Sequence, residues 1–256
     1  MAVKARKRVN LFGIDFDTVT RDYMVSRVDE AIAKEKHIWL TFINVSIVVQ
    51  SNHDMEVYGI LEVADYHLCD GMGLVYASRL LGKPLPEMVS GPLLLMRLLK
   101  HASDHGYRIY FLGSKQKIIE RALLNVKRNY PGLQIVGYRN GYFNYAEERE
   151  VVALVRQSGA QILFVGMGFP RERIFIHKYR KDLKVPVIMD VGGALTVLAG
   201  IHRLAPRWMR MTGIEWVYRL SQEPRRLWKR YLVTNIIFGW LLLRELFRRQ
   251  ALSSIV

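Results

Sequence analysis

The sequence predicts an α/β domain in which helices cover both faces of a mostly parallel sheet. Three observations predict it. Strand-length apolar runs recur along the chain without the polar alternation of a half-exposed strand. Stretches of helical periodicity separate them. Each run stops at Gly, Asn or Asp, the residues that break a strand. With 256 residues, 50% of them apolar, the chain has the material for one large domain or two small ones, and global disorder is excluded.

The first helix is predicted over Arg21–Ala33, where Tyr23, Val25, Val28 and Ile32 fall at roughly helical spacing. Ile38–Ile43 reads as a buried strand that Asn44 ends, with a helix over 45–50. A short unit over 64–69 delivers the chain to Asp70-Gly71, followed by a helix over 74–81 and a proline-punctuated loop over 82–91. A helix over 93–105 leads to a strand over 107–112, broken by Gly113-Ser114. The helix over 116–130 has Ile118, Ile119, Ala122, Leu123 and Val126 on its apolar side and stops at Pro131-Gly132. A strand over 133–137, a helix over 146–158 and a strand over 161–165 follow, the last ending in Gly166-Met167-Gly168. A helix over 173–179 and a strand over 185–191 ending in Gly192-Gly193 complete the sheet domain, residues 1–200. After Gly200 the composition changes, and residues 201–256 read as an appendage.

In such sheets ligands collect at the carboxyl ends of the strands. The breaks at Asn44, Asp70-Gly71, Gly113-Ser114, Gly166 to Pro170 and Gly192-Gly193 are therefore the candidate positions. Asp70 at a strand end has the chemistry of a general base, and equally that of a helix cap. Asn44 has the same two readings, as a hydroxyl-fixing amide or a cap. Gly166-x-Gly168 and Gly113-Ser114 either bring backbone N–H groups to a diphosphate or make tight turns of positive φ. Neither the dinucleotide-binding nor the P-loop glycine pattern is present, nor is a Gly-x-Ser-x-Gly elbow. Asp15 and Asp17 are expected in a turn and cap rather than on a divalent metal. The seven histidines form no zinc-binding pattern, and no metal site or cofactor is indicated. One cysteine, Cys69, excludes an internal disulfide and reads as a buried filler.

The net charge of +15 draws phosphate-rich partners. Residues 203–256 carry eleven Lys or Arg against three Glu, so about half of the excess sits in about a fifth of the chain. Trp208, Trp216, Tyr218, Trp228 and Tyr231 interleave with these cations, and residues 232–243 are apolar except for Thr234 and Asn235. Twelve helical residues span about 18 Å, short of a hydrocarbon core of roughly 30 Å, so the segment is expected to lie in an anionic membrane interface with arginines on phosphates. Core packing or a homo-oligomer contact is the alternative. Nucleic-acid binding leaves so apolar a stretch unexplained. The basic N-terminus lacks the apolar core of a secretory signal.

A longer set of motifs runs through the chain. It comprises Asn44, Asp70-Gly71, Leu81-Gly82-x-Pro84-x-Pro86-Glu87, Ser90-Gly91, Phe111-Leu112-Gly113, Tyr130-Pro131-Gly132 and GYRNGYF at 137–143. It continues through Val165-Gly166-x-Gly168-x-Pro170, Gly192-Gly193, Leu198-Ala199-Gly200 and Arg203-x-Ala205-Pro206 to the most specific block, Trp208-Met209-Arg210-x-x-Gly213-x-Glu215-Trp216, with Arg219-Leu220, QEPRR at 222–226 and Arg230-Tyr231. In these motifs the chain resembles the WecG/TagA/CpsF family of bacterial glycosyltransferases over about residues 10–235. The resemblance implies a Rossmann-like fold. It also implies metal-independent, inverting transfer of a sugar from a nucleoside diphosphate donor, a UDP-sugar, to a polyprenyl-diphosphate-linked saccharide. The setting it implies is the cytoplasmic face of the bacterial inner membrane, in exopolysaccharide, capsule or cell-wall polymer synthesis. Carried over, Asp70 is the general base, and Asn44 and Gly71 share its pocket. The turns at Gly113, Gly166, Gly168, Pro170 and Gly192 are candidate substrate contacts, and Arg203, Arg210, Arg219 and Arg226 of the appendage are candidates for the diphosphates. A non-catalytic lipid- or protein-binding subunit of a polysaccharide assembly complex is the rival reading.

The chain departs from the family pattern in places. Phe42 stands where a threonine is usual two residues before the asparagine, with Thr41 one further back. Met88 replaces an arginine, and Gly91-Pro92-Leu93 a Gly-x-Asp-Leu. Pro170-Arg171-Glu172-Arg173 replaces Pro-Lys-Gln-Glu, and residues 195–200 replace Phe-Asp-x-Leu-Ala-Gly. These departures imply either an altered donor or acceptor specificity or a weakened activity.

Overall fold

The computed structural model describes residues 6–253, with side chains through residue 248. Residues 1–5 of the basic N-terminus and the side chain of Arg249, expected beside lipid phosphates, lie outside the described residues.

The chain opens with an antiparallel hairpin, β1 (Arg8–Leu11) and β2 (Ile14–Asp17). This corrects the expectation that Asp15 and Asp17 occupy a turn and cap. The turn is Phe12-Gly13, both at positive φ, as a two-residue hairpin requires. Thr20 caps the following helix α1 (Arg21–Ala33). Asp17 is buried, and its carboxylate accepts from the His67 backbone N–H at 2.8 Å and from Arg6 and Arg8. It latches the hairpin to the first edge of the main sheet.

That sheet has six parallel strands in the order β4-β3-β8-β7-β5-β6. They are β3 (Ile38–Ile43), β4 (Tyr66–Cys69), β5 (Arg108–Gly113), β6 (Gln134–Arg139), β7 (Ile162–Gly166) and β8 (Val187–Asp190). Every residue of β3, β4, β7 and β8 is buried, which explains their unbroken apolar text. The fold is thus the Rossmann-like α/β class predicted.

One face is covered by α1, α5 (Gly91–His105), α6 (Gln116–Asn129) and the short α9 (Ala194–Leu198). The other face packs on α2 (Val45–Ser51), α3 (Met55–Glu62), α4 (Met72–Leu80), α7 (Glu148–Gln157) and α8 (Arg171–Leu183). Helices α3 and α9 are additions to the predicted order. Only three residues of the eight in α3 are buried, and α9 has only five residues, so neither has a strong periodic signal.

The appendage comprises α10 (Arg207–Thr212), α11 (Glu215–Gln222) and α12 (Pro224–Ser253). The apolar stretch 232–243 is part of this 30-residue helix rather than a separate element. Its apolar residues divide between two faces. Ile237, Phe238, Leu241, Leu242 and Leu246 pack against α2, α4 and the hairpin, with the Phe12 and Phe238 ring centroids 5.1 Å apart. Leu232, Val233, Ile236, Trp240, Leu243 and Phe247 are exposed. Among the described residues no helix is long and apolar enough to cross a membrane.

Candidate active site

Parallel pairing of β3 with β4 aligns Ile43 with Cys69, so Asn44 and Asp70 leave the sheet side by side. The Asp70 N–H donates to the Ile43 carbonyl at 2.9 Å and fixes this pairing. The chain then turns at Gly71, whose φ of +124° suits glycine, into α4. Gly71 is the N-cap of α4 and no side chain caps the helix, so the Asp70 carboxylate is not a cap. Asn44 is one: its side-chain oxygen accepts from the Ile47 N–H at 3.1 Å.

Asp70 keeps some solvent contact but has protein on most sides. Burial pushes its carboxyl up to about 6; Glu215 adds to the rise, while Arg219, Ser90 and Arg173 oppose it. Ser90 arrives because the Val89 N–H donates to the Cys69 carbonyl at 2.8 Å, laying the loop before α5 against the end of β4. Arg219 and Glu215 arrive on α11 and pair with each other at 2.9 Å. The appendage is seated there through α10: the Tyr76 hydroxyl of α4 donates to the Met211 carbonyl at 2.7 Å, and Gly213 lies against Met72 and Gly73.

The other strand ends line up along the same edge. From β4 to β7 is three strand spacings, about 14 Å by sheet geometry. Two adjacent residues of the first turn of α8 tie these ends together. Glu172 is buried, and its carboxylate accepts from the Gly168 N–H at 3.1 Å and the Gly192 N–H at 3.2 Å. Burial, with the Asp190 carboxylate beside it, pushes Glu172 well above the usual carboxylate range. Arg173 pairs with Asp190 at 3.2 Å and donates to the Phe42 carbonyl at 2.5 Å. Pro170, after a cis peptide bond, starts α8.

Gly113 lies one strand further along, paired with Gly166. At φ +139°, a Cβ on Gly113 would stand 2.3 Å from the Gly166 carbonyl oxygen. The Ser114 N–H donates to that oxygen at 2.8 Å.

Of the residues singled out from sequence, Asn44, Asp70, Gly71 and Arg219 come together at the end of β3 and β4. Gly166, Gly168, Pro170 and Gly192 form the adjoining turns, and Gly113 lies beyond them. The remaining arginines are engaged elsewhere: Arg210 donates to the Ala205 carbonyl at 3.0 Å, Arg226 pairs with Glu223, and the Arg203 backbone is held by Gln222 while its side chain is exposed. Sequence reasoning missed Glu172, Arg173, Asp190 and Glu215 as parts of the site. The signal for Glu215 was its i,i+4 spacing to Arg219. Asp190 stands out as a charge closing the apolar strand β8, whereas Glu172 and Arg173 lie in the charged text of α8, which gives no such signal. Cys69 is buried, and burial pushes its thiol up, as a filler requires. Among the described residues no three His, Cys, Asp or Glu side chains gather as a metal cluster.

The arrangement is that of a Rossmann-like domain with a part-desolvated carboxylate near an arginine on the carboxyl edge of its parallel sheet, where ligands of such folds collect. The chain belongs to the glycosyl transferase WecG/TagA/CpsF family, whose sequence pattern matches residues 9–252. It is similar to an N-acetylglucosaminyldiphosphoundecaprenol N-acetyl-beta-D-mannosaminyltransferase of Bacillus spizizenii, at 34% identity over 199 residues, 78% of this chain and 76% of the relative. The enzyme of the same description from Staphylococcus aureus is 30% identical over 222 residues, 86% of this chain and 87% of the relative.

Proposed function

We propose that this protein is an inverting glycosyltransferase that moves a sugar from a nucleoside diphosphate donor, a UDP-sugar, to a polyprenyl-diphosphate-linked saccharide. Its product feeds exopolysaccharide, capsule or cell-wall polymer synthesis. The observation that carries the reading is the convergence of Asp70 with Arg219, a residue of the appendage, beside Asn44. Two relatives whose names specify a diphosphoundecaprenol-linked acceptor support the substrate class.

The chemistry follows from that convergence. Asp70 takes the proton of an acceptor hydroxyl as its oxygen forms a bond to the anomeric carbon of the donor. The bond from that carbon to the diphosphate breaks, and the nucleoside diphosphate leaves with the electron pair. Arg219 and backbone N–H groups at the strand-end turns stabilise the charge that develops there, in the role a metal ion fills in other transferases. A single displacement inverts the anomeric centre and needs one carboxylate, not a pair.

The lipid-linked acceptor is met at the membrane. The outer face of α12, together with Trp208 and Trp228, presents apolar and aromatic side chains, with exposed Arg225, Lys229, Arg230, Arg244 and Arg248 around them. That composition suits peripheral attachment of the appendage, residues 201–256, to an anionic cytoplasmic leaflet.

Asp70→Asn tests the reading. It is expected to leave the melting temperature unchanged or higher and to lower turnover by roughly two to four decades, as for a lost general base. The assay is transfer from UDP-N-acetylmannosamine and other UDP-sugars to N-acetylglucosaminyl diphosphate on a short polyprenyl chain. A variant that transfers at the wild-type rate removes Asp70 from the mechanism.

A further inference from the structure

The first turn of α8 holds a charged group with no direct part in the proposed transfer, although its charge helps to hold the Asp70 carboxyl down. Arg173 is 2% exposed, among the most buried side chains of the protein. Its Nε and Nη2 donate to Asp190 Oδ2 at 3.3 and 3.2 Å, and Nη2 also donates to the carbonyl of Phe42. The guanidinium carbon lies 5.2 Å from the centre of the Phe169 ring. Asp190 Oδ1 accepts from the indole N–H of Trp39 at 3.0 Å. Nη1, shielded from solvent, has no partner among the described residues. The arrangement is expensive: both ions are desolvated, and one donor is left unsatisfied. Apolar residues of similar volume generally hold a core as well as a buried ion pair or better, so stability does not account for it.

What the pair does is geometric. Phe42 is two residues before Asn44, at the end of the strand beside that of Asp70. Asp190 ends β8, and Phe169 belongs to the turn after β7. One guanidinium therefore touches the ends of three adjacent strands, and Glu172 beside it holds the Gly168 and Gly192 N–H groups. Arg173 is itself a departure from the family pattern, and it takes as its partner on β3 a backbone carbonyl, which any residue at position 42 supplies.

We infer that Arg173 is a positioning residue: paired with Asp190, it sets the distance between the Asn44 and Asp70 end of the sheet and the turns after β7 and β8, and so the register of donor against base. The inference rests on the proposed transfer reaction, and its test separates the two.

The test is a double-mutant cycle with Arg173→Met, Asp190→Leu and the pair combined. Each single variant strands a buried charge and lowers Tm; the double variant regains a Tm near wild type. Transfer from UDP-N-acetylmannosamine to the short polyprenyl acceptor, measured on the alkaline plateau of the pH profile where the Asp70 carboxyl is ionised in every variant, stays down by about ten- to a hundredfold in kcat/KM in the double variant, because the strand ends are no longer set. A double variant that recovers both Tm and kcat/KM makes the pair purely structural and overturns the inference. If the double variant does not fold, Arg173→Lys decides. It keeps the charge but not the fork to Asp190 and Phe42, so a tenfold or larger loss at wild-type Tm supports positioning, and a wild-type rate overturns it. If the wild-type protein transfers no sugar, the proposed function fails instead. The positioning role is then read by calorimetric titration with UDP, where the folded variant binds about tenfold more weakly if the inference holds and equally well if it does not.

Discussion

The two ends of the site's edge look alike in sequence and behave differently in the fold. At the β3 and β4 end the chain breaks at Asn44 and Asp70-Gly71, and side chains gather: Asp70, Ser90, Glu215 and Arg219 lie together, with Arg173 close enough for its charge to be felt. At the β5 and β7 end the breaks are Gly113-Ser114 and Gly166, where neither glycine leaves room for a Cβ. There the backbone of one strand end touches the other, Gly113 against the Gly166 carbonyl, with a Cβ on Gly166 itself 2.8 Å from Leu195. One end is built from charge and the other from the absence of Cβ atoms. A glycine break therefore has two meanings, and neighbouring strands decide which applies.

That contrast is sharpest at Gly113. Gly113→Ala forces a methyl to 2.3 Å from a backbone oxygen at φ +139°, where no rotamer gives relief. We expect a loss of about 3 kcal/mol or more in chemical denaturation, with Asp70 chemistry affected only through the fold. Alanine tolerated there at wild-type stability would mean the two strand ends do not approach as described.

The charged end is read by pH. The Asp70 carboxyl is raised from 3.8 to about 6, and the base must be ionised to work. Turnover is therefore expected to be flat above the midpoint and to fall about tenfold per pH unit below it. Stability runs the other way. A folded-state value above the unfolded one favours the protonated form, so ionising Asp70 costs stability as pH rises from near 4 through 6. The stability gap between Asp70→Asn and wild type should close as pH falls through that window. An acid limb near pH 4 would show that burial does not govern this carboxyl.

The smallest effect on stability is expected on the outer face of α12. Trp240 is 59% exposed, whereas Leu241, its neighbour in sequence, is 2% exposed. Trp240→Glu should change stability by no more than about 0.5 kcal/mol, yet reduce flotation with anionic vesicles. Unchanged flotation would separate this face from the membrane role.

Much of this protein was legible in its residues. The unbroken apolar strands, the glycine and polar stops and the helical periodicity establish an α/β parallel sheet. The order of motifs establishes family membership. Asp70 and Asn44 were legible as a pair of strand ends, but not as neighbours, because strand order is not written locally. The α12 segment shows the same limit: twelve apolar residues announce burial somewhere, but which half meets α2 and which meets solvent depends on how the helix is rotated against the hairpin and α2. The hairpin itself was hidden behind a positive-φ turn at Phe12, and Asp17 became structural only when β4 arrived beside it. The Glu172, Arg173 and Asp190 cluster lay furthest from view. Periodicity reports where apolar side chains go, whereas a buried charge survives only if partners distant in sequence satisfy it, and only the tertiary structure brings Phe42, Gly168, Asp190 and Gly192 within reach.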